Sequence, residues 1–289
     1  MTMHGTVSSV EVHGTRIVFC ERGSGPHLVL LHGMFGDHMD WEAVIEPLSR
    51  CFHVVAVDLP GFGASGKPSI LYSLEFFLET LQGLFATLQL DHIYLAGNSF
   101  GGQLAVLYAL RHPAQVRKLV LVDCGGFRHI PREERDQTMH AFSENNLLSL
   151  RWTGIQYLFS QSFARSSNEK ARYLERQTDR LRTPDYPAYS HAVSQSIRTS
   201  LTSYVFDRLK EIVCPTLLLW GDRDPLCPVE QGRAALKQLR NGELHILREC
   251  GHMPQLDSPR EFAALLIPFL LALDAAPANA PDQLTHELI

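Results

Sequence analysis

The chain has 289 residues, 45% of them hydrophobic, and a formal net charge of −5 from 26 basic and 31 acidic side chains. A chain of this length and composition can bury a large core, so we expect a globular protein of one elaborated domain or two modest ones. No long run carries a single charge sign, so neither a phosphate backbone nor an anionic membrane surface has an obvious electrostatic partner. We therefore expect no nucleic-acid partner.

Residues 1–9 lack a basic cluster followed by an apolar core, so the sequence predicts no secretory signal. The longest apolar stretch, Phe262 to Leu273, is too short to span a bilayer and is interrupted by Pro268. We expect a cytoplasmic protein without a membrane span. The six cysteines are scattered without paired spacing, which is typical of isolated reduced thiols rather than of a disulfide framework or a zinc site.

Residues Val10–Val12 and Arg16–Phe19 flank His13-Gly14-Thr15 and predict an antiparallel hairpin at the edge of a sheet. Further along, short and nearly all-apolar runs each precede a loop: 28–31, 54–57, 93–96, 119–122 and 217–220, with a final strand at 242–247. Continuous apolar strands are buried on both faces, which indicates a parallel sheet.

Helical patterns alternate with these strands, at about 39–49, 74–90, 102–112, 229–239 and 259–272. Strands that alternate with helices predict a doubly wound α/β fold. The start of the last helix is well marked, because Ser258 can act as the N-cap, Pro259 fits the first position, and Glu261 completes a capping box.

The alternation stops between about Phe127 and Val213, where the sequence becomes polar and helical without a strand-like run. Helical stretches are predicted there at 147–163, 168–181 and 186–200. Because this segment leaves the sheet after one strand and returns at the next, it should cover the carboxyl ends of the strands, where ligands bind in open α/β sheets. We expect residues 1–126 and 214–274 to form the core, 127–213 a helical cap, and 275–289 a flexible tail.

One short motif carries the chemistry. Residues 97–101, Gly-Asn-Ser-Phe-Gly, lie between an apolar strand and a helical pattern, so Ser99 falls on a tight strand-to-helix turn. Glycines two residues before and after the serine are needed because a side chain there would collide with the neighbouring strand or helix. A serine held in this way projects above the sheet edge, which predicts Ser99 as a nucleophile.

A serine nucleophile needs a base, and the base needs an acid that fixes its tautomer. His252 follows the last strand, and Asp224 follows the strand that ends at Gly221, so both reach the same sheet edge as Ser99. The chain order Ser, Asp, His is the one that a serine elbow on such a sheet requires. Asp222 and Asp123 are alternative acids, because the first is two residues from Asp224 and the second follows another strand.

Over nearly its whole length the chain resembles the α/β-hydrolase fold family. The elbow, the His-Gly-Met-Phe-Gly segment at 32–36, the Asp-Leu-Pro-Gly-Phe-Gly-Ala-Ser segment at 58–65, and the Asp224 and His252 segments carry this resemblance. It implies a mostly parallel eight-stranded sheet flanked by helices with an inserted helical cap, a reaction that needs no cofactor, and an oxyanion hole. The two backbone N–H donors of that hole would come from Met34 and Phe100.

Two other patterns are weighed and set aside. Residues 61–66 fit the Gly-x-Gly-x-x-Gly pattern of dinucleotide sites, but helical periodicity starts only near Leu74, too far from the last glycine to receive a pyrophosphate. No histidine or cysteine pairs have metal spacing, so no metal is predicted. Aromatic residues of the cap could line a pocket, although at helical spacing packing is the favoured interpretation: Trp152, Tyr157, Phe159 and Phe163.

The leading hypothesis is a serine hydrolase that cleaves a carboxylic ester or a related small acyl substrate through an acyl-enzyme. The alternative is a C–C bond hydrolase of ring-opened aromatic diketones, whose elbow the segment 97–102 resembles. Those enzymes usually have a Trp after the histidine and a Gly-Pro-Gly type of oxyanion loop, where this chain has Met253 and Met34-Phe35-Gly36. A slow-turnover ligand receptor and an acyltransferase are further alternatives on the same fold.

Overall fold

The computed structural model describes residues 5–272, apart from the side chains of Trp152 and Ile155. The described chain forms one eight-stranded sheet with the order β1-β2-β4-β3-β5-β6-β7-β8. Its strands are β1 Thr6–Val12, β2 Thr15–Arg22, β3 His27–Leu31, β4 His53–Val57, β5 Ile93–Asn98, β6 Val116–Val122, β7 Thr216–Gly221 and β8 Gly242–Leu247. The expected tail at 275–289 lies outside the described residues.

The first two strands form the predicted hairpin at the sheet edge. They pair antiparallel and are joined at His13 and Gly14, which both have positive φ, as a two-residue turn between twisted strands requires. β2 also pairs antiparallel with β4, whereas every pairing from β4 to β8 is parallel. The apolar strands at 28–31 and 54–57 are completely buried, which confirms the prediction of a parallel sheet covered on both faces.

Helices cover both faces of the sheet and the carboxyl ends of its strands. They are α1 Glu42–Ser49, α2 Leu74–Thr87, α3 Phe100–Arg111, α4 Arg132–Ala141, α5 Glu144–Leu148, α6 Trp152–Ser160, α7 Asn168–Arg180, α8 Tyr186–Leu201, α9 Val229–Leu236, α10 Pro254–Asp257 and α11 Pro259–Leu271. Single 3₁₀ turns lie at His38–Trp41 and Phe206–Glu211. Among residues 5–272, no helix is both long and apolar enough to cross a bilayer.

The predicted insertion between β6 and β7 contains α4 to α8. The sequence suggested one helical stretch over 147–163, but the chain forms α5 and α6 with a break at Ser149 to Arg151. The break follows from local bonding, because the hydroxyl of Ser149 donates to the carbonyl of Asn146 at 2.8 Å and Arg151 takes an extended conformation.

The predicted capping box at the start of α11 is wrong in one respect. Ser258 is the N-cap, with φ −139° and ψ 62°, but its side chain makes no capping hydrogen bond. Its backbone N–H instead bonds to the carbonyl of Pro254 and so ends α10. The short helix α10 therefore sets the conformation of Ser258.

All six cysteines are free thiols.

Candidate active site

Ser99 occupies the turn between β5 and α3 with a φ of +52°. This left-handed conformation is strained for a residue with a Cβ and is typical of functional sites. The turn is held from several sides, because Ser99 N–H donates to Val122 O at 2.9 Å and Ser99 O accepts from Gln103 and Gly125 N–H at 3.0 Å. The backbone thus fixes the direction of the serine side chain.

The glycines of the elbow are needed because a side chain at either position would collide with backbone atoms. A Cβ at position 97 would lie 2.2 Å from the carbonyl oxygen of Gly101, and a Cβ at position 101 would lie 2.4 Å from the carbonyl oxygen of Leu31. Both contacts are far inside van der Waals distance and involve backbone atoms that cannot move aside. A larger residue at either position would displace the turn.

His252 and Asp224 form a buried pair. The Nδ1 atom of His252 lies 2.7 Å from Oδ2 of Asp224, and Oδ1 of Asp224 accepts the N–H groups of Leu226 at 2.8 Å and Cys227 at 3.1 Å. Burial works to raise the pKa of Asp224, but the facing imidazole and these hydrogen bonds lower it overall. The carboxylate therefore stays ionised and directs the Nε2 atom of His252 away from itself.

Ser99 and His252 line the same pocket. Asn98 joins their two loops, since its Nδ2 donates to the carbonyl oxygens of His252 and Val122, each at 3.0 Å. Within residues 5–272 the Ser99 hydroxyl makes no hydrogen bond, so the serine and histidine share a pocket wall without a formed Oγ–Nε2 bond. Such bonds are often long before substrate is bound.

The loop that carries His252 is fixed to the insertion as well as to the sheet. His252 N–H donates to Ser162 O at 2.8 Å. The Oδ2 atom of Asp257 accepts Gly251 N–H at 2.7 Å and Ala164 N–H at 3.1 Å. The position of the histidine therefore depends on the segment between α6 and α7.

The two expected oxyanion donors also line this pocket. Phe100 is the first residue of α3, so its N–H lies at the helix N-terminus, where the dipole favours negative charge. Within the described residues, the N–H groups of Met34 and Phe100 donate to no other protein group. The residues expected to form the oxyanion hole therefore line the cavity beside Ser99 and carry backbone N–H groups without a described protein acceptor.

A buried histidine shapes the loop that carries Met34. The Nε2 atom of His32 accepts Leu59 N–H at 3.0 Å, and its Nδ1 lies 2.7 Å from Gly33 O. Burial lowers the pKa of His32, so the ring is neutral and Nδ1 carries the proton that the Gly33 carbonyl accepts. This bond turns the Gly33 carbonyl toward the ring.

The pocket has a volume of about 280 Å³ and lies between the sheet edge and the insertion. Most of its wall is apolar and comes from both parts of the chain: Met34, Phe35, Phe142, Leu158, Phe159, Ile197, Leu201, Leu226 and Met253. Asp40 contributes a carboxyl group, and no described lining residue is Lys or Arg. The cavity is therefore suited to an uncharged, apolar group.

The cap aromatics divide between lining and packing. Phe159 does both, since it lines the pocket and packs edge-on against Phe35 and Tyr173. Phe163 is buried against Tyr173, as packing predicts. Tyr157 is 76% exposed, so the expectation that it packs is wrong. The side chain of Trp152 is outside the described part of the chain.

Three arginines of α7 join the insertion to the loop and helix that follow β3. Arg172 pairs with Glu42 at 2.7 Å, Arg176 with Asp40 at 2.8 Å, and Arg180 with Asp37 at 3.0 Å. The exposed fraction of the arginine side chain falls along this series from 50% to 20% to 13%. We call these three pairs the arginine ladder.

The ladder adjoins the candidate oxyanion loop. Gln177 Nε2 and the Tyr189 hydroxyl both donate to Phe35 O, each at 3.1 Å. Phe35 has a φ of +68°. Sequence reasoning missed the ladder, although Arg172, Arg176 and Arg180 recur every four residues in a predicted helix, which places them on one face.

Neither of the two alternative acids is bonded to His252. Oδ1 of Asp222 accepts Cys250 N–H at 3.3 Å and so closes a turn. Asp123 is completely buried at the end of β6, where its Oδ1 accepts Gly221 N–H at 3.0 Å. Of the three aspartates, Asp224 is the one that the structure pairs with His252.

Among the described residues, Asp224, Cys227 and His252 bring three potential metal-ligand atoms within 4.8 Å of one another. Their bonding does not suit a metal, because Asp224 and His252 bond to each other. Burial and the charge of Asp224 raise the pKa of the Cys227 thiol well above its usual value, which disfavours the thiolate that a metal binds. The donor set fits a histidine–carboxylate pair better than a metal site.

Comparison with known proteins agrees with the fold. A family model described as the alpha/beta hydrolase fold matches residues 26–259. A 2-hydroxy-6-oxo-2,4-heptadienoate hydrolase of Pseudomonas putida is 29% identical over 262 residues, which cover 87% of this chain and 91% of the relative.

Two solved structures are also similar. A membrane phospholipase A, a bacterial virulence factor, is 32% identical with a TM-score of 0.79 over 92% of this chain and 85% of its own. An esterase from Exiguobacterium antarcticum, 23% identical with a TM-score of 0.82 over 92% of this chain and 100% of its own, shares the fold. The chain belongs to the alpha/beta hydrolase fold family and is a hydrolase of that family.

Proposed function

We propose that the protein is a serine hydrolase of uncharged carboxylic esters with an apolar acyl group. The observation that carries the proposal is the buried His252–Asp224 pair, which shares an apolar pocket with a serine in strained backbone geometry. The cavity volume of about 280 Å³ is near the lower limit of small-molecule sites, which suits a short or medium acyl group.

In the proposed mechanism, His252 Nε2 takes the proton of Ser99 as Oγ bonds to the carbonyl carbon of the ester. The carbonyl electron pair moves to its oxygen, which the N–H groups of Met34 and Phe100 stabilise. When the pair returns, the C–O bond of the alcohol breaks and the histidine gives its proton to the leaving oxygen. Water then repeats these steps on the acyl-enzyme, with His252 again as base and then as acid.

Asp224 stabilises the imidazolium that forms in each step. Its carboxylate bonds to Nδ1 and so keeps the tautomer in which Nε2 can accept a proton. No cofactor takes part in this mechanism.

The charge of the pocket separates the ester hypothesis from C–C hydrolysis. The Pseudomonas putida relative is named as the hydrolase of a dienoate. A dienoate carries a carboxylate, whose charge a binding site must neutralise. Here the described lining holds the carboxyl group of Asp40 and no Lys or Arg side chain. Arg176 on α7 bonds to Asp40 at 2.8 Å and is not among the lining residues, so a substrate carboxylate would be desolvated without a cationic partner.

C–C hydrolysis stays the second candidate function, because the match to the Pseudomonas putida relative covers 87% of this chain. Its elbow sequence at 97–102 also supports it. Both reactions would use the same serine and histidine, so only the substrate distinguishes them.

The test is a rate comparison on one purified protein. Neutral p-nitrophenyl esters of two to ten carbons are compared with a 2-hydroxy-6-oxo dienoate, and Ser99→Ala is compared with the exposed control Ser69→Ala. We expect ester hydrolysis with the larger kcat/KM, organophosphonate labelling at Ser99, and a loss of about 10⁴-fold or more in Ser99→Ala. Faster dienoate cleavage would replace the ester proposal with the second candidate. Full activity of Ser99→Ala would contradict both.

A further inference from the structure

A second aspartate lies beside the proposed acid and is not used by the mechanism above. Asp123 follows β6, the strand that pairs with β7, and its backbone N–H donates to Leu219 O at 3.1 Å. It has a φ of +42°, a left-handed conformation that aspartate adopts at a cost. The neighbouring strands thus bring Asp123 to the segment that carries Asp224.

The two oxygens of Asp123 have different surroundings. Oδ1 accepts Gly221 N–H at 3.0 Å, whereas Oδ2 is fully buried and receives no hydrogen bond from any described donor. Because β6 and β7 are neighbours and Asp123 bonds to Gly221, three residues before Asp224, the two carboxyl groups interact. An ionised Asp123 would therefore hold a bare negative oxygen near a second carboxylate.

The charges around Asp123 favour its neutral form. The titratable groups that face it are the carboxyls of Asp224 and Asp257 and the thiols of Cys124 and Cys227. Burial and then the charge of Asp224 raise the pKa of Asp123 well above its usual value. The pKa of Asp224 is lowered, because that carboxylate faces His252 and two N–H donors. Two carboxyls in contact in a buried site hold one proton between them.

We propose that Asp123 is a positioning residue of the candidate triad, whose carboxyl group keeps its proton and donates an Oδ2–H hydrogen bond to the carboxylate of Asp224. The role assigned to Asp224 rests on the proposed function. Asp123 adds a fourth donor to those that His252, Leu226 and Cys227 supply, and its contact with Gly221 fixes the strand from which Asp224 extends. The bond holds Asp224 Oδ2 toward the imidazole.

Two substitutions at this position test the bond. Asn in Asp123→Asn can accept from Gly221 with Oδ1 and donate to Asp224 with Nδ2, whereas Asp123→Ala can do neither. We expect Asp123→Ala to lose about tenfold in kcat with KM changed less than twofold, and Asp123→Asn to recover most of that loss. Equal kcat losses in the two variants would overturn the proposal, because the donor would then have no role.

The pH profile separates positioning from a merely structural role. Asp123→Asn replaces a neutral group with a neutral group, so the lower limb of the kcat/KM profile should stay within about 0.3 pH unit of the wild type. An ionised Asp123 would make the same substitution remove a negative charge beside the His252–Asp224 pair. The midpoint of the lower limb would then move to lower pH by about 1 unit or more, and that shift would overturn the proposal.

A third readout needs no activity and no substrate. Infrared spectra at neutral pH should contain a component of the carbonyl band of buried protonated carboxyls that is lost in Asp123→Asn and persists both in Asp40→Asn and in the exposed control Asp207→Asn. An unchanged band in Asp123→Asn would overturn the proposal even if ester hydrolysis is confirmed. If the protein hydrolyses no ester, the proposed function fails, while this spectrum still decides whether Asp123 holds the proton.

Discussion

The sheet and the insertion that covers it are stabilised by different interactions. β3 and β4 bury every side chain from Leu28 to Leu31 and from Val54 to Val57, so the sheet is held by apolar contact that has no direction and little dependence on salt. α4 buries no residue, and α7 buries two and relies on the arginine ladder. Ion pairs are directional, and those that solvent reaches weaken in salt.

This difference indicates that the sheet and the insertion have different roles. Ser99, Asp224 and His252 follow strands of the sheet, and the segment between α6 and α7 also holds the His252 loop. Phe142, Leu158 and other pocket walls belong to the insertion itself. Chemistry requires fixed geometry, and substrate entry requires a wall that can move. We infer that the pocket opens by loosening the ladder while the sheet stays intact.

The largest expected effect lies on the sheet side. Asp224→Asn removes the charge that stabilises the imidazolium and allows the wrong histidine tautomer, so kcat should fall by about 10⁴-fold. Asp222→Asn is the matched control, because Asp222 closes a turn two residues away, and it should change kcat less than threefold. A greater loss in Asp222→Asn than in Asp224→Asn would reassign the acid.

The next effect concerns the stability of the sheet. Phe262 on α11 is completely buried and packs against Trp41 with ring centroids 6.2 Å apart. Phe262→Ala should lower the free energy of unfolding in urea by about 3 to 5 kcal/mol, through lost burial and a cavity. Phe262→Leu keeps most of the volume and should lose much less. A small loss in the alanine variant would show that this layer can collapse around the gap.

The sheet side was also the more predictable from sequence. Runs such as 28–31 and 217–220 are short, continuously apolar segments, which are stable as strands when both faces of the sheet are covered. This pattern is local and can be recognised in the sequence without knowledge of distant contacts. Ser99, Asp224 and His252 could be proposed as a candidate triad because each follows a strand of the parallel part of the sheet. The fold and the candidate triad were therefore predicted from local patterns and strand order.

The boundary between sheet and insertion could not be predicted in the same way. Three interactions at this boundary join residues that are distant in sequence: Asp123 with Asp224, Asn98 with His252, and Gln177 with Phe35. Each depends on which side of a loop or helix faces inward, and a single sequence does not contain that information. The break between α5 and α6 was missed because competing side-chain bonds, unlike apolar periodicity, leave no repeating pattern.

A smaller effect is expected from the ladder. Arg180→Gln removes the most buried guanidinium of the ladder and leaves Asp37 only its longer contact with Arg176, at 3.6 Å. It also loses the stacking on Tyr189, with 4.8 Å between the guanidinium and the ring centroid. Hydrogen exchange of α7 amides should accelerate by about tenfold, equivalent to about 1.4 kcal/mol. Arg172→Gln removes the most exposed member and should accelerate exchange less than threefold.

The ladder variants also test whether the two regions open separately. In Arg180→Gln, amides of β5 should exchange at the wild-type rate, because local opening of the insertion leaves the sheet folded. Equal acceleration in β5 would show that insertion and sheet unfold as one unit, which would contradict the inference that the pocket opens through the ladder.

The smallest effect is a pH dependence at the centre of the ladder. Burial and then the charge of Asp37 raise the pKa of Asp40 to about 8, although Arg176 works to lower it. Since this pKa lies above the unfolded value, folding favours the protonated form, and the contribution of Asp40 to stability falls as pH rises from about 4 to 8.

Asp40→Asn removes this pH dependence while keeping the size of the side chain. Between pH 5 and pH 9, its free energy of unfolding in urea should improve relative to the wild type by at least about 1 kcal/mol. A parallel pH dependence in the two proteins would mean that Asp40 is already ionised at pH 5, and that Arg176 holds it as a full ion pair at the boundary between sheet and insertion.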